Sequence, residues 1–541
     1  MKYIKKFILL MVICLFVLSA CAKPQETKTT EAKTTEVKTT EVKTAEAEVP
    51  EEKFIKVKIG LDSDPAALAP WLGVGVQGRT AIIQMVYEAL FSQERFGGEI
   101  VPVIGSGYEQ IDDVTYRVTL RDNVYDSAGN HITASDVVFS YQTAKELGNM
   151  ATFLSSYAGI SQIDEFTVEL KLVSNDLGAF ANTAVNVDII SQAEYEKNAD
   201  RFVSDPVGTG PYLVKSFTPG SGAILVKNGN YWQGDTPTNL YGNQNADEIE
   251  FKVITEPSQV AIALETGEID FATNVARSDL YLFEGKEDFQ IINVPEKLTN
   301  VVLYNNSSES PCQDINLRKA ISYAIDPQAI IDGVYLGKGD IIKTYGSSSY
   351  IDYVDKWDNE EYFPYDVEKA KEYLAMSSYA GETLVIMTVP GDFARVSEII
   401  QAYLTEVGIN SEIKSYEMAL YNTYRFDPTQ WDILPTNKGS GDYLANIFKF
   451  SFDARLFRGA TQTFLADEQL QTLLEACLNV ETHNDETMDA FHQYLKETAT
   501  ARGLFRRYTS FVANSEIENV VINHMNVMFP GASTYSDDFG N

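Results

Sequence analysis

The sequence predicts a mixed α/β body of more than one lobe, carried behind an export signal and a solvated tether. Three observations predict it. Period-2 strands alternate with capped helical stretches from Phe54 onward; this body is longer than one hydrophobic core usually serves; and residues 1–53 hold no core-forming pattern.

At the N-terminus, Lys2, Lys5 and Lys6 precede an apolar run from Phe7 to Leu18, too short to cross a bilayer core of ~30 Å as a permanent span. Residues 1–20 therefore have the pattern of a signal peptide. Leu18-Ser19-Ala20-Cys21 resembles the bacterial lipobox, which implies diacylglycerol and an acyl chain on Cys21 as a membrane anchor. Residues 21–53 follow as a tether, in which Thr29-Thr30-Glu31-Ala32-Lys33 recurs nearly unchanged at Thr34 to Lys38 and Thr39 to Lys43. Such a segment cannot bury enough apolar surface to order itself, and its mean reach is about 30 Å.

Strand and helix signals begin at Phe54. Ile55, Val57, Ile59 and Leu61 share one face of a first strand, and Tyr116–Leu120 and Phe166–Leu172 repeat that period. Between them a helix opens at Thr133-Ala134-Ser135-Asp136, a capping-box pattern. Further on, Pro257 stands at a helix first turn with Gly267 as its stop, Asp314 caps Ile315 to Ile325, Asp366 caps Val367 to Ala375, and Phe393 to Val407 is amphipathic before Gly408.

The formal charge is −34, from 43 basic and 77 acidic residues, and loss of the signal lysines makes it more negative. That excludes phosphate-backbone binding as a main activity, so no nucleic-acid partner is expected. Of the four cysteines only Cys312 and Cys477 lie in the body, and both are expected as free buried thiols. None of His131, His483, His492 and His524 forms H-E-x-x-H. Gly333 to Lys338 lacks the spacing and the hydroxyl of a phosphate loop, and Gly220-Ser221-Gly222 and Gly439-Ser440-Gly441 lack that of a nucleophile elbow. No enzyme, catalytic residue, metal or cofactor is expected.

A series of ordered motifs over residues 54–525 resembles the extracellular solute-binding proteins of peptide, opine and nickel ABC importers, the oligopeptide- and dipeptide-binding class of family 5. They are Thr115–Val124 with Ile132–Ser140, Pro206-Val207-Gly208-Thr209-Gly210-Pro211-Tyr212, Asn230-Tyr231-Trp232-Gln233-Gly234, Ala263–Asp270, Asp314–Asp326, and Asp366–Leu374 with Gly408-Ile409. The resemblance implies a two-lobed periplasmic-binding-protein-like fold of the large type II class. Lobe I would span residues 54–300 with a subdomain at about 80–195, lobe II 301–505, and 506–541 would return to lobe I. Paired crossovers are expected near Asn293 to Asn306 and Arg502 to Ser515.

The resemblance also implies a function: capture of a peptide between the lobes by hinge closure, then delivery to ABC permease subunits and their ATPases. The protein would be a monomer, lipid-anchored on the outer face of the cytoplasmic membrane. The family's first-lobe segment matches Gly75, Val76 and Gln77, before Val86-Tyr87-Glu88-Ala89-Leu90. Its amine-pairing acid matches Asp442, in Ser440-Gly441-Asp442-Tyr443 after Trp431, and the resemblance implies that Trp431, Ser440, Gly441 and Tyr443 line the ligand site with it, although Lys438-Gly439 and Leu444-Ala445 depart from the usual surroundings. An exposed turn aspartate is the competing explanation. No arginine for a peptide carboxylate matches; Arg425 is a substitute. A sensor or adhesin on the same fold, or a binder of an opine or nickel chelate, stands as the alternative.

Overall fold

The structure is a computed structural model. It describes residues 53–540 apart from 73–75, 94–98, 149, 151–153, 235, 274, 440, 457–462, 465 and 524–525. Cys21, the signal and the tether up to residue 52, together with Gly75 and Ser440, lie outside the described residues. The contacts divide the chain at Lys53/Phe54, and the body Phe54–Asn541 is one compact unit.

Its centre is a sheet of eleven strands that runs through both halves of the body. Lys56–Leu61 lies parallel to Glu248–Val253 and to Phe271–Ala272, and antiparallel strands Gly222–Lys227 and Tyr212–Thr218 extend that side. The first strand obeys its sequence pattern, with Val57, Ile59 and Leu61 all buried. On the other side Leu384–Thr388 pairs in parallel with Ser411–Ser415 and touches Ile433–Lys438. Two long antiparallel strands, Phe289–Tyr304 and Ala501–Asn514, join the halves and carry the chain out and back. Their register slips between Pro295 and Thr299, so Glu296, Lys297 and Leu298 form a bulge midway between the lobes.

Separate apolar clusters fill each part. One, built around Trp357, Trp431 and Phe448, is the core of lobe II; a second packs behind the first strand in lobe I. A third lies under a four-stranded antiparallel sheet, Gly105–Asp112, Thr115–Leu120, Thr167–Leu172 and Tyr157–Asp164, against helix Ala134–Leu147. Among the described residues no helix is long and apolar enough to cross a membrane.

The helix boundaries have the causes that the sequence supplies. Asp136 Oδ2 accepts from the Thr133 amide at 2.9 Å, Asp314 accepts from the Asn316 amide at 2.7 Å, and Asp366 from the Lys369 amide at 2.9 Å. Two of the quoted motifs hold each other. The Glu88 carboxylate accepts from the Tyr231 hydroxyl at 2.6 Å, the Trp232 indole at 2.7 Å and the Gln233 amide at 3.0 Å. Gly210 lies so close to helix Gln77–Val86 that a Cβ there would meet the Met85 carbonyl oxygen at 2.7 Å, and its amide donates to the Val86 carbonyl. These motifs are scaffold, tying lobe I to the subdomain.

Candidate functional site

Strand Ile433–Lys438 pairs with Thr299–Tyr304 of the first long strand and so brings the following turn to the bulge between the lobes. Gly439 passes close to Leu298, and a Cβ there would approach its Cδ2 to 2.7 Å. Gly441 adopts φ +60, which turns the chain and sets Asp442 and Tyr443 ahead of helix Leu444–Phe452. An acid just before a helix usually caps it. Here the capping is done by Asp352, whose carboxylate accepts from the Leu444 amide at 2.5 Å and the Ala445 amide at 2.9 Å. The Asp442 side chain is thereby left for other partners, while its carbonyl accepts from the Ile351 amide at 3.1 Å.

Those partners come from two other parts of the molecule. Asp442 Oδ1 stands 3.4 Å from Lys297 Nζ on the bulge, and Oδ2 accepts from Gln93 Nε2 at 2.8 Å, from the subdomain. The Tyr350 hydroxyl donates to the Lys297 carbonyl at 2.7 Å and pins the bulge. Burial pushes the Lys297 ammonium down to about 8 against the opposing pull of Asp442.

Beside this cluster lobe II rests on the subdomain. The Tyr443 ring packs over Gly178, where a Cβ would come within 3.0 Å of it; Asn446 Nδ2 donates to the Leu177 carbonyl at 3.2 Å; and Lys449 pairs with Asp176 at 3.0 Å. Farther along, Arg277 of lobe I pairs with Asp392 of lobe II at 2.5 Å and lies over the Tyr335 ring. The lobes meet across this whole seam. Arg506 and Arg507, on the return strand, are held by Asp340 at 3.0 Å and Glu296 at 2.5 Å.

Of the residues singled out from the sequence, Gly441, Asp442 and Tyr443 are together at the seam. Trp431 is not: it is 1% exposed in the core of lobe II, and its carbonyl accepts from Asn305. Val76 and Gln77 begin helix Gln77–Val86 in lobe I, where Gln77 Nε2 donates to the Asn526 carbonyl at 3.1 Å. Arg425 ends helix Met418–Tyr424 and lies against Tyr421 and Phe426. Cys312 and Cys477 are both free and buried, with the Cys477 thiol pushed up to about 12 by burial. Among the described residues no group of three or more His, Cys, Asp or Glu could hold a metal ion.

Sequence reasoning missed Lys297, Gln93 and Asp352. A signal for Lys297 was present: Pro295-Glu296-Lys297 breaks an otherwise strand-forming run between Phe289 and Tyr304. Gln93 and Asp352 carry no local signal, because their partners lie far away in the chain.

Residues 99–474 match the family model of the bacterial extracellular solute-binding proteins, family 5 middle region. The chain is a family 5 solute-binding protein. Heme-binding protein A of Haemophilus influenzae is 25% identical over 392 residues, which cover 66% of this chain and 69% of that protein. A dipeptide-binding protein of Pseudomonas aeruginosa is 24% identical over 375 residues, covering 62% and 67%. In fold, HbpA2 from Haemophilus parasuis superposes with a TM-score of 0.78 at 18% identity, over 89% of this chain and 100% of the other. The two-lobed periplasmic-binding-protein architecture expected from the motifs is therefore the architecture found. A family 5 protein is an extracellular solute-binding protein, and these relatives are named as binding proteins.

Proposed function

We propose that this family 5 protein is the lipid-anchored capture component of an ABC importer, and that it takes short peptides with a free N-terminus between its lobes. The observation that carries the peptide reading is the ammonium of Lys297 beside Asp442 at the seam. A peptide's α-ammonium is the same chemical group, and it replaces Lys297 at this carboxylate when a ligand is held. A charge-assisted hydrogen bond of that kind contributes about 1.5–3 kcal/mol.

The contacts across the seam supply the rest of the mechanism. Opening parts Tyr443 from Gly178, Lys449 from Asp176 and Asp442 from Gln93. A ligand that touches both lobes favours closure by its differential affinity for the closed arrangement, and the closed monomer then docks on the permease. No bond is made or broken. Cys21, with its acyl chains and the tether of residues 21–53, keeps the captor near that permease on the outer membrane face and raises its local concentration.

Calorimetric titration with di- to hexapeptides tests capture. Saturable binding of free-amine peptides is expected, and silence toward all of them alongside binding of an opine, heme or metal chelate overturns the reading. Incorporation of a tagged fatty acid, lost in Cys21→Ser, tests the anchor.

A further inference from the structure

Under helix Gln77–Val86, where lobe I meets the subdomain, lies a cavity of about 90 Å³. That is room for several water molecules, and for the five heavy atoms of an aminobutyl chain. Ile83, Phe91 and Phe529 form apolar walls, and Tyr87, Asp188 and Gln93 supply polar ones. Gln93 also donates to Asp442, so one end of the cavity is a single side chain away from the seam.

One of its polar groups is unsatisfied. Tyr87 is 2% exposed and its hydroxyl has no hydrogen-bond partner among the described residues. Asp188 lines the same cavity, half-buried, and burial raises its carboxyl to about 7. The neighbouring acid behaves differently: Glu88 is held by donors from Tyr231, Trp232 and Gln233. Buried polar groups in folded proteins are nearly always paired, and a buried hydroxyl without a partner that shares a cavity with a carboxylate leaves room for a ligand that donates to both, for which a cation is best suited.

We propose that this cavity is a specificity pocket for a primary alkylammonium, the side chain of a lysyl residue in the captured peptide, with Asp188 as counter-ion and the Tyr87 hydroxyl as second acceptor. Two acceptors suit the compact ammonium; a guanidinium would bring five N–H donors and leave most of them unpaired. The apolar walls take the methylene stem. The inference rests on the peptide reading above.

The test uses the full chain and tripeptides of alanine carrying one lysine or one norleucine at each position, titrated calorimetrically. At one position the lysyl peptide is expected to bind at least tenfold tighter than its norleucine partner. Asp188→Asn and Tyr87→Phe should each bring it toward the norleucine affinity and leave the norleucine peptide unchanged. If Asp188→Asn fails to fold, by circular dichroism, Tyr87→Phe carries the comparison. Equal affinities at every position overturn the pocket and leave peptide capture standing. If no tripeptide binds, peptide capture fails and the pocket is judged with n-butylammonium chloride alone. A saturable shift of the Asp188 carboxyl carbon resonance then supports the pocket, and an unmoved resonance overturns it. Displacement of the lysyl peptide by putrescine at lower concentration than by n-butylammonium overturns the lysyl assignment in favour of a free diamine.

Discussion

Replacing Asp442 by Asn keeps the shape of the side chain and an oxygen for Gln93 but removes the charge that faces Lys297. At 3.4 Å, two unit charges attract by about 5 kcal/mol at an effective dielectric constant near 20. Both side chains are partly exposed, 31% for Lys297 and 18% for Asp442, and solvent screening reduces this to roughly 1–2 kcal/mol. The Lys297 ammonium, already pushed down to about 8, should therefore fall further, by on the order of one pH unit. A ligand's α-ammonium loses the same partner. Free-amine peptides should bind roughly ten- to a hundredfold more weakly to Asp442→Asn, whereas their N-acetylated forms should bind wild type and variant alike. Calorimetry with trialanine and N-acetyl-trialanine reads the difference. Equal losses for the two peptides would refute the role given to Asp442, since a general disturbance of the seam does not distinguish an amine from an amide.

Lys297 makes a second prediction through pH. Its ammonium is held near 8 in the fold against 10.5 in a free chain, so the folded state releases its proton first. Stability should rise with pH between about 8 and 10.5, by up to about 3 kcal/mol, with the full penalty present below 8. Melts of Lys297→Met against wild type across that window isolate the effect, and parallel curves count against it. Glu88→Ala removes the acceptor of three donors and should cost about 3–5 kcal/mol in urea unfolding; a loss under 1 kcal/mol would show that the clasp between lobe I and the subdomain is dispensable. Asp352→Ala uncaps helix Leu444–Phe452 and should cost about 1 kcal/mol. Because it also loosens the turn bearing Asp442, peptide affinity should fall with it, and an unchanged affinity would detach the cap from the site.

Much of the fold was legible because its signals are local. The caps at Thr133, Asp314 and Asp366 act within one helical turn, and the first strand declares its buried face by alternation. The quoted motifs were legible for a related reason: Glu88 with Tyr231 and Trp232, and Gly210 against Met85, need particular residue types wherever this scaffold is built. The site was legible only in part. Gly441 and Asp442 stand in a turn that sequence can flag, but the partners of Asp442 lie 145 and 349 positions away. No period or spacing links residues so distant. Trp431 illustrates the converse, since nearness in sequence to Asp442 suggested a cleft residue, and the strand Ile433–Lys438 in between carries it into the core of lobe II instead.

The most direct measurement is mass spectrometry of the solute that the protein retains through purification from its own cells under native conditions. The account predicts a short peptide with an unmodified N-terminal amine, retained by wild type and lost from Asp442→Asn. A retained solute without a primary amine, or a peptide held equally well by Asp442→Asn, would contradict it.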